Sequence, residues 1–329
     1  MNLVVGLILL FSVIFLANVV EKRSSPTVKR RFNWILILIN LPLFFLGLAF
    51  LLVPVEQLQD LQMAQSFPAF RPAGLVLLLS AVWGLLAILP EARRFLSRWI
   101  PLDPESSVHT VALILAGYLV GNSVLSLTQG GLEGLAETGQ PASIVEVLAS
   151  ELLYASVGLA GVGLFIRRAG WKAVERIGID RPSREHLLTS LRWVGLLVLL
   201  QWMTALAFTL LYPEQAEQLD NLNTLLLGNM DTVSEWFLLA ISAAIGEEIL
   251  FRGALQPVFG LWATAFLFAF AHVQYGFTLA TALVFVIGVV LGLIRRRYST
   301  TIAIFVHFSY NFILGLLALL APYLESIAQ

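Results

Sequence analysis

The sequence predicts an all-α, polytopic membrane helix bundle of about ten transmembrane helices, and two observations predict it. Hydrophobic residues fill 58% of the 329 positions with a mean hydropathy of +0.85, while charged residues make up only 12%. Soluble domains carry about a quarter of their residues as charges. The charges that remain are phased: nineteen of the twenty Lys and Arg residues fall in alternate loops, Arg71 being the exception. That is the pattern the positive-inside rule produces in a chain that crosses a bilayer repeatedly.

Ten apolar stretches are long enough to span. The first, 3–20, has no basic residues ahead of it and no small-residue cleavage site, so it is expected to be a retained anchor and not a signal peptide. In the second, 34–54, Asn40 stands beside Pro42, a structural pair at a kink. The third covers 73–89. Basic residues at 22–31 and at Arg93, Arg94 and Arg98 put the turns after the first and third on one side. Spans 108–127 and 144–166 flank a loop, 128–143, with no Lys or Arg. Within the second of these, Glu146 and Glu151 are expected to be structural. The stretch 167–192 carries seven basic residues and Trp171, with Pro182 before a helix start at Ser183. It is expected to lie along the inner leaflet as a partly amphipathic segment, an ordinary basic loop being the plainer alternative. After span 193–211 comes an acidic loop, 212–233, expected to be solvated, and then spans 234–252, 261–275, 277–294 and 301–320. The Arg295–Arg297 run ends the ninth as a stop-transfer cluster. This phasing places both termini outside. His109 and His186 fall at helix ends and in the basic loop, where a solvated role is expected.

With no cysteine in the chain, thiol catalysis, disulfides and cysteine-ligated metals are excluded. Residues 1–106 show no chemistry and read as accessory transmembrane helices, which leaves 107–329 as the unit that carries function. No internal repeat is visible, which argues against an inverted-repeat transporter.

Ionisable side chains are costly in hydrocarbon, so those in a span usually face a partner or a wet cavity. Three such groups stand in the last third: Glu247, Glu248 and Arg252; Phe268 and His272; His307 and Asn311. Glu248 and Arg252, four apart with the acid first, suit an intrahelical ion pair. Glu247 then points about 100° away with no local counter-charge, free to act as a general base. Asn311 lies one turn beyond His307 on the same face, and Phe268, one turn before His272, walls the site from lipid. Ending the seventh helix near Gly253 puts Glu247 roughly 8–10 Å above the inner face, with both imidazoles at about 15–16 Å. The three sets therefore share one polar cavity in the inner half of the bilayer, open to the cytoplasm. For an amide bond to be cut there, Glu247 with His272 can hold and deprotonate a water, while the Asn311 amide and a His307 N–H meet the oxyanion.

These motifs resemble the CAAX protease and bacteriocin-processing family of membrane peptidases, which includes the type II CAAX prenyl endopeptidases. The family pattern is Glu-Glu-x-x-x-Arg, Phe-x-x-x-His and His-x-x-x-Asn, each on its own helix, and all three occur here in order over about 230–321. The resemblance implies a CAAX-protease-like membrane domain across 107–329. It implies an intramembrane endopeptidase with Glu247, His272, His307 and Asn311 as the catalytic set and Glu248, Arg252 and Phe268 in support. The implied partners are the bilayer and a membrane-embedded or lipid-modified peptide substrate, with no nucleic acid, in a multi-pass protein of the plasma membrane. A Glu and two His can also ligate zinc, so a metal-free glutamate mechanism and a zinc site on Glu247, His272 and His307 are both open. The metal-free one, with no cofactor, is the expectation. The spacing of 25 residues from Glu247 to His272 is short for the family and predicts a compact turn at 253–260, around Pro257 and Gly260. Two readings compete: a non-catalytic membrane binding, immunity or maturation factor that uses the same pocket, and a proton-coupled transporter with Glu247 and His272 as relay.

Overall fold

In hydrocarbon, a backbone can satisfy its own hydrogen bonds only as a helix or a closed barrel. The computed structural model describes residues 3–60, 69–129, 131, 134, 140–228 and 230–328, and its long apolar runs are helices. In order these are α1 (Leu3–Arg23), α2 (Pro26–Leu52), α3 (Phe70–Ile88), α4 (Ser107–Thr128), α5 (Ile144–Gly161), α6 (Gly170–Ile177), α7 (Arg184–Leu211), α8 (Pro213–Leu227) and α9 (Val233–Glu247). A π-helical turn, Glu248–Leu255, joins α9 to α10 (Gln256–Ala271), and α11 (Leu279–Arg297) and α12 (Thr300–Ala328) complete the bundle.

Among the described residues nine helices are long and apolar enough to cross a membrane, one of them the 39-residue run Val233–Ala271. That run does not go straight. A continuous helix would hold Glu247 and His272 about 37 Å apart, yet their side chains approach to 3.7 Å. The reversal is at Gly260, with φ 78° and ψ −178°, a backbone region open in practice only to glycine. The run is therefore two legs, the second of which, 261–271, is eleven residues long, so the described residues offer nine candidate spans where the hydropathy pattern predicts about ten. The turn is also as compact as the 25-residue spacing requires.

Close packing of helices in lipid depends on small side chains. Where α2 crosses α3, a Cβ on Gly47 would stand 2.6 Å from the Leu78 nitrogen, and one on Gly74 would stand 2.7 Å from the Phe50 Cβ. Polar cross-links add to this layer. The Trp83 indole donates to the Leu113 carbonyl (2.8 Å), and the Tyr118 hydroxyl donates to the Asn40 side chain (2.6 Å). Asn40 is thus structural. On the other side, α9 packs between α5 and α12, α10 lies between α4 and α11, and α7 covers α12. Leu197, Leu291, Ile294, Ile302 and Val306 form a fully buried core for α7, α11 and α12. Outer faces carry exposed Trp34, Leu79, Trp202 and Met203, an apolar belt expected of a surface that meets lipid.

Three boundaries differ from expectation. The fifth span ends at Gly161, not 166, because Gly163 and Phe165 take positive φ and the chain doubles back, the Phe165 N–H donating to the Arg168 carbonyl. The acidic stretch 212–233 contains helix α8 where a solvated loop was expected: Pro213 opens it, and Leu219 and Leu222 are buried. The helix carrying Glu247 runs on past Gly253 to the turn at Gly260. As expected, α6 is amphipathic, burying Ala173 and Ile177 while Trp171 and Lys172 face outward, and Ser183 caps the next helix by accepting from the His186 N–H.

Candidate active site

Glu247 is the last residue of α9, and Glu248 opens the π-turn. Single π-turns inside helices widen the backbone and recur at functional sites. Here the two adjacent carboxylates diverge to different partners. Glu247 is buried, with Oε1 3.7 Å from His272 Nε2 and Oε2 3.8 Å from His307 Nε2. Both gaps are too long for hydrogen bonds and suit a bridging water.

The other nitrogen of each imidazole is committed. His272 caps α10, and its Nδ1 lies 2.8 Å from the Phe268 carbonyl oxygen. A carbonyl only accepts, so the network assigns the proton to Nδ1 and leaves a lone pair on Nε2. His307 Nδ1 lies 3.0 Å from Glu248 Oε1, a carboxylate that orients the ring in the same sense. His307 Nε2 can then donate only as imidazolium, a charge that Glu247 and Glu248 flank.

Glu248 Oε2 also stands 3.2 Å from Arg252 Nε, and both side chains are wholly buried. The pair is close enough for ionic contact but misaligned for a hydrogen bond, and the Arg252 nitrogens have no other acceptor among the described residues. The guanidinium instead lies 4.4 Å from the Phe268 ring centroid, a desolvated cation–π contact. Phe268 packs on Phe251, His272 and His307 as well, so one ring supports both arms of the site. Asn311 sits a turn beyond His307 on α12, half-buried, its side chain without a hydrogen-bond partner among the described residues.

Gly260 explains how distant positions meet. Glu247 lies thirteen residues before it and His272 twelve after, so folding back at that point brings them level. By helical rise the site is about 18 Å from the turn. The expected helix end at Gly253 puts Glu247 only about 8–10 Å from that end, and the later turn at Gly260 lengthens this leg. The 272–278 connection holds a single 3-10 turn, Val273–Tyr275, and irregular backbone of this kind is tolerated within a membrane where it lines a polar site.

Sequence reasoning missed three neighbours. On α5, Glu151 Oε2 is buried without a hydrogen bond, 2.5 Å from where a Cβ on Gly246 would sit, and it lies close enough to Glu247 for the charges to interact. Tyr154, one turn on, packs edge-on against Phe251. Tyr275 stacks on His272 with ring planes 5° apart. The available signal was an ionisable residue inside a span, Glu151, facing the helix that carries Glu247. By contrast Glu146 forms a capping box with Ser143 at the start of α5, His109 Nδ1 accepts from the Asp103 N–H, and His186 packs on Tyr298. Among the described residues no group of three His, Cys, Asp or Glu side chains is placed to hold a metal ion.

Residues 229–313 match the family model described as type II CAAX prenyl endopeptidase Rce1-like. The Rce1-like segment contains all seven motif residues and bears out the resemblance read from them. It ties this part of the chain to a family of membrane peptidases. Glu151 and Tyr154, on α5, lie outside it. No curated protein and no solved structure matches the chain.

Proposed function

We propose that the chain is an intramembrane endopeptidase that hydrolyses peptide bonds of membrane-associated substrates, lipid-modified peptides included, by glutamate-activated water. The observation that carries this reading is the placement of two imidazole Nε2 atoms 3.7 and 3.8 Å from the two oxygens of one buried carboxylate, each ring anchored through its Nδ1. A water between Glu247 and His272 donates one hydrogen to the carboxylate and the other to the His272 lone pair. Glu247 takes the proton as the water oxygen bonds to the scissile carbonyl carbon. The carbonyl oxygen becomes an oxyanion, met by the Asn311 amide and by His307 Nε2–H. Glu247 then returns its proton to the leaving nitrogen, the C–N bond breaks, and an acid and an amine depart. Glu248 holds the His307 ring, Arg252 balances the charge on Glu248, and Phe268 excludes lipid. The site faces the cytoplasm in a plasma-membrane protein.

The test uses purified protein in detergent and a membrane-borne reporter peptide. Glu247→Gln and His272→Ala are expected to leave a folded protein whose turnover falls by about 10²–10⁴-fold, the usual contribution of a general base; unchanged turnover in either variant overturns the mechanism. Overnight chelation followed by zinc addition is expected to leave the rate unaltered. A rate switched off and then restored by zinc refutes the metal-free route.

A further inference from the structure

A cavity of about 440 Å³ lies between α1, α4, α5, the π-turn and α10, within the ~300–1,000 Å³ range of small-molecule sites. It does not include Glu247, His272 or His307. Its walls are apolar, with Ile14, Leu115, Val157, Leu250 and Leu267 among them. At one end is Tyr154, close enough to Glu247 to feel its charge. At the other, in the basic stretch that follows α5, are Arg167, Arg168 and Arg176.

These three arginines are half-buried and lack a carboxylate within ion-pair distance among the described residues. Arg167 donates to the Asn18 side chain (2.6 Å), Arg168 to the Val162 carbonyl, and Arg176 to the Gly253 carbonyl (3.2 Å). Two acids line the same end, Glu21 and Asp103, and each accepts one backbone N–H, from Ser107 and Glu105 respectively. Burial, and after it the charge of Arg168, hold the Arg167 and Arg176 guanidinia below their ordinary pKa, with Glu21 opposing this at Arg167 and Arg295 adding to it at Arg176. Three guanidinium groups and two carboxylates, Glu21 and Asp103, thus line the mouth of an apolar chamber, cations in excess and none of the three arginines in direct ion-pair contact with an acid among the described residues.

We infer that this cavity binds an anionic phospholipid, its phosphate on Arg167, Arg168 and Arg176 and an acyl chain against the walls toward Tyr154. The alternative occupant, a peptide carboxylate, fits less well. A peptide would bring several N–H and C=O groups into walls that offer almost no partners, and each unpaired group costs free energy. Hydrocarbon meets no such cost there, and phosphate is a natural partner for forked guanidinium donors.

The experiment reconstitutes the full chain in nanodiscs of phosphatidylcholine with increasing phosphatidylglycerol and counts tightly bound lipid by native mass spectrometry. Wild type is expected to retain one phosphatidylglycerol in preference to phosphatidylcholine. Arg168→Gln with Arg176→Gln is expected to weaken that preference by roughly thirtyfold. Gly161→Leu keeps every arginine and fills the chamber at a wall position where an added Cβ meets nothing within 4 Å. It is expected to abolish retention. The exposed pair Lys172→Gln with Arg184→Gln removes the same charge outside the cavity and is expected to change nothing. Equal binding of the two lipids by wild type, a loss in the exposed pair as large as in the cavity pair, full retention by Gly161→Leu, or complete release of the retained lipid on adding inorganic phosphate at millimolar concentration each overturns the inference. None of these readouts uses peptide turnover, so the lipid site and the peptidase reading stand or fall separately.

Discussion

Glu248 serves two partners at once, His307 through Oε1 and Arg252 through Oε2, in surroundings with no access to water. Removing one member of a buried ion pair strands the other charge, at a cost of about 3–5 kcal/mol, whereas replacing both by apolar groups is often close to neutral. Glu248→Gln is therefore expected to lower the thermal unfolding midpoint sharply, and Glu248→Leu combined with Arg252→Met to recover most of it. Turnover stays lost in both, because His307 Nδ1 no longer has a carboxylate to fix its ring. A double variant that regains activity along with stability would reduce Glu248 to a structural counter-ion. Phe268→Ala tests the same core from the other side: it removes the face under Arg252 and is expected to cost about 3–5 kcal/mol in the same melt. These residues were legible in the sequence because an ionisable group stands out in an apolar span. Glu151 stood out too, but near a helix end interfacial water is an equally cheap partner. Only its packing against Gly246 directs it inward, and no spacing within α5 encodes that contact.

At the scale of elements, the turn at Gly260 sets the meeting of Glu247 and His272. An alanine there would hold its backbone at φ 78° and place a Cβ 3.3 Å from the Pro101 ring. Gly260→Ala is expected to cost about 1–3 kcal/mol of stability. It is also expected to lower kcat/KM by up to about 10²-fold, since an ångström of misplacement at a catalytic pair can cost that much. Wild-type kinetics in the variant would mean that the two legs are aligned by something other than this turn. The existence of the turn was readable from the short spacing; its position was not. Gly253 and Pro257 look like breakers, and reading them so ends the helix too early. In the folded chain Gly253 stays within the π-turn and leaves room for Ile177 of α6, and Pro257, which cannot donate, follows carbonyls that side chains satisfy, Arg252 by Arg295 and Gly253 by Arg176. Helix α8 was missed for a related reason: its acidic composition hid the leucines at 219 and 222, which tertiary contacts bury.

Across the whole molecule, basic and acidic side chains are sorted to opposite ends of the bundle. Arg167, Arg168, Arg176 and Arg295 gather at the end of the bundle where α10 starts and α11 finishes, while α8 and the acidic residues around it lie at the ends of α7 and α9 remote from that cluster. Hydropathy and charge phasing made this arrangement legible because both are properties of single segments summed along the chain. Helix-to-helix neighbours were not legible, since apolar faces are interchangeable in lipid and small-residue contacts such as Gly47 with Gly74 leave no long-range mark. The absence of cysteine allows a clean test of orientation. Lys172→Cys, on exposed α6, and Glu217→Cys, on exposed α8, each provide a single thiol at one of the two faces. In intact cells a membrane-impermeant maleimide is expected to label the Glu217→Cys thiol and spare the Lys172→Cys thiol until the membrane is opened. The reverse pattern would place the arginine-rimmed end of the bundle outside the cell. The proposed cytoplasmic access to Glu247 would then have to be inverted.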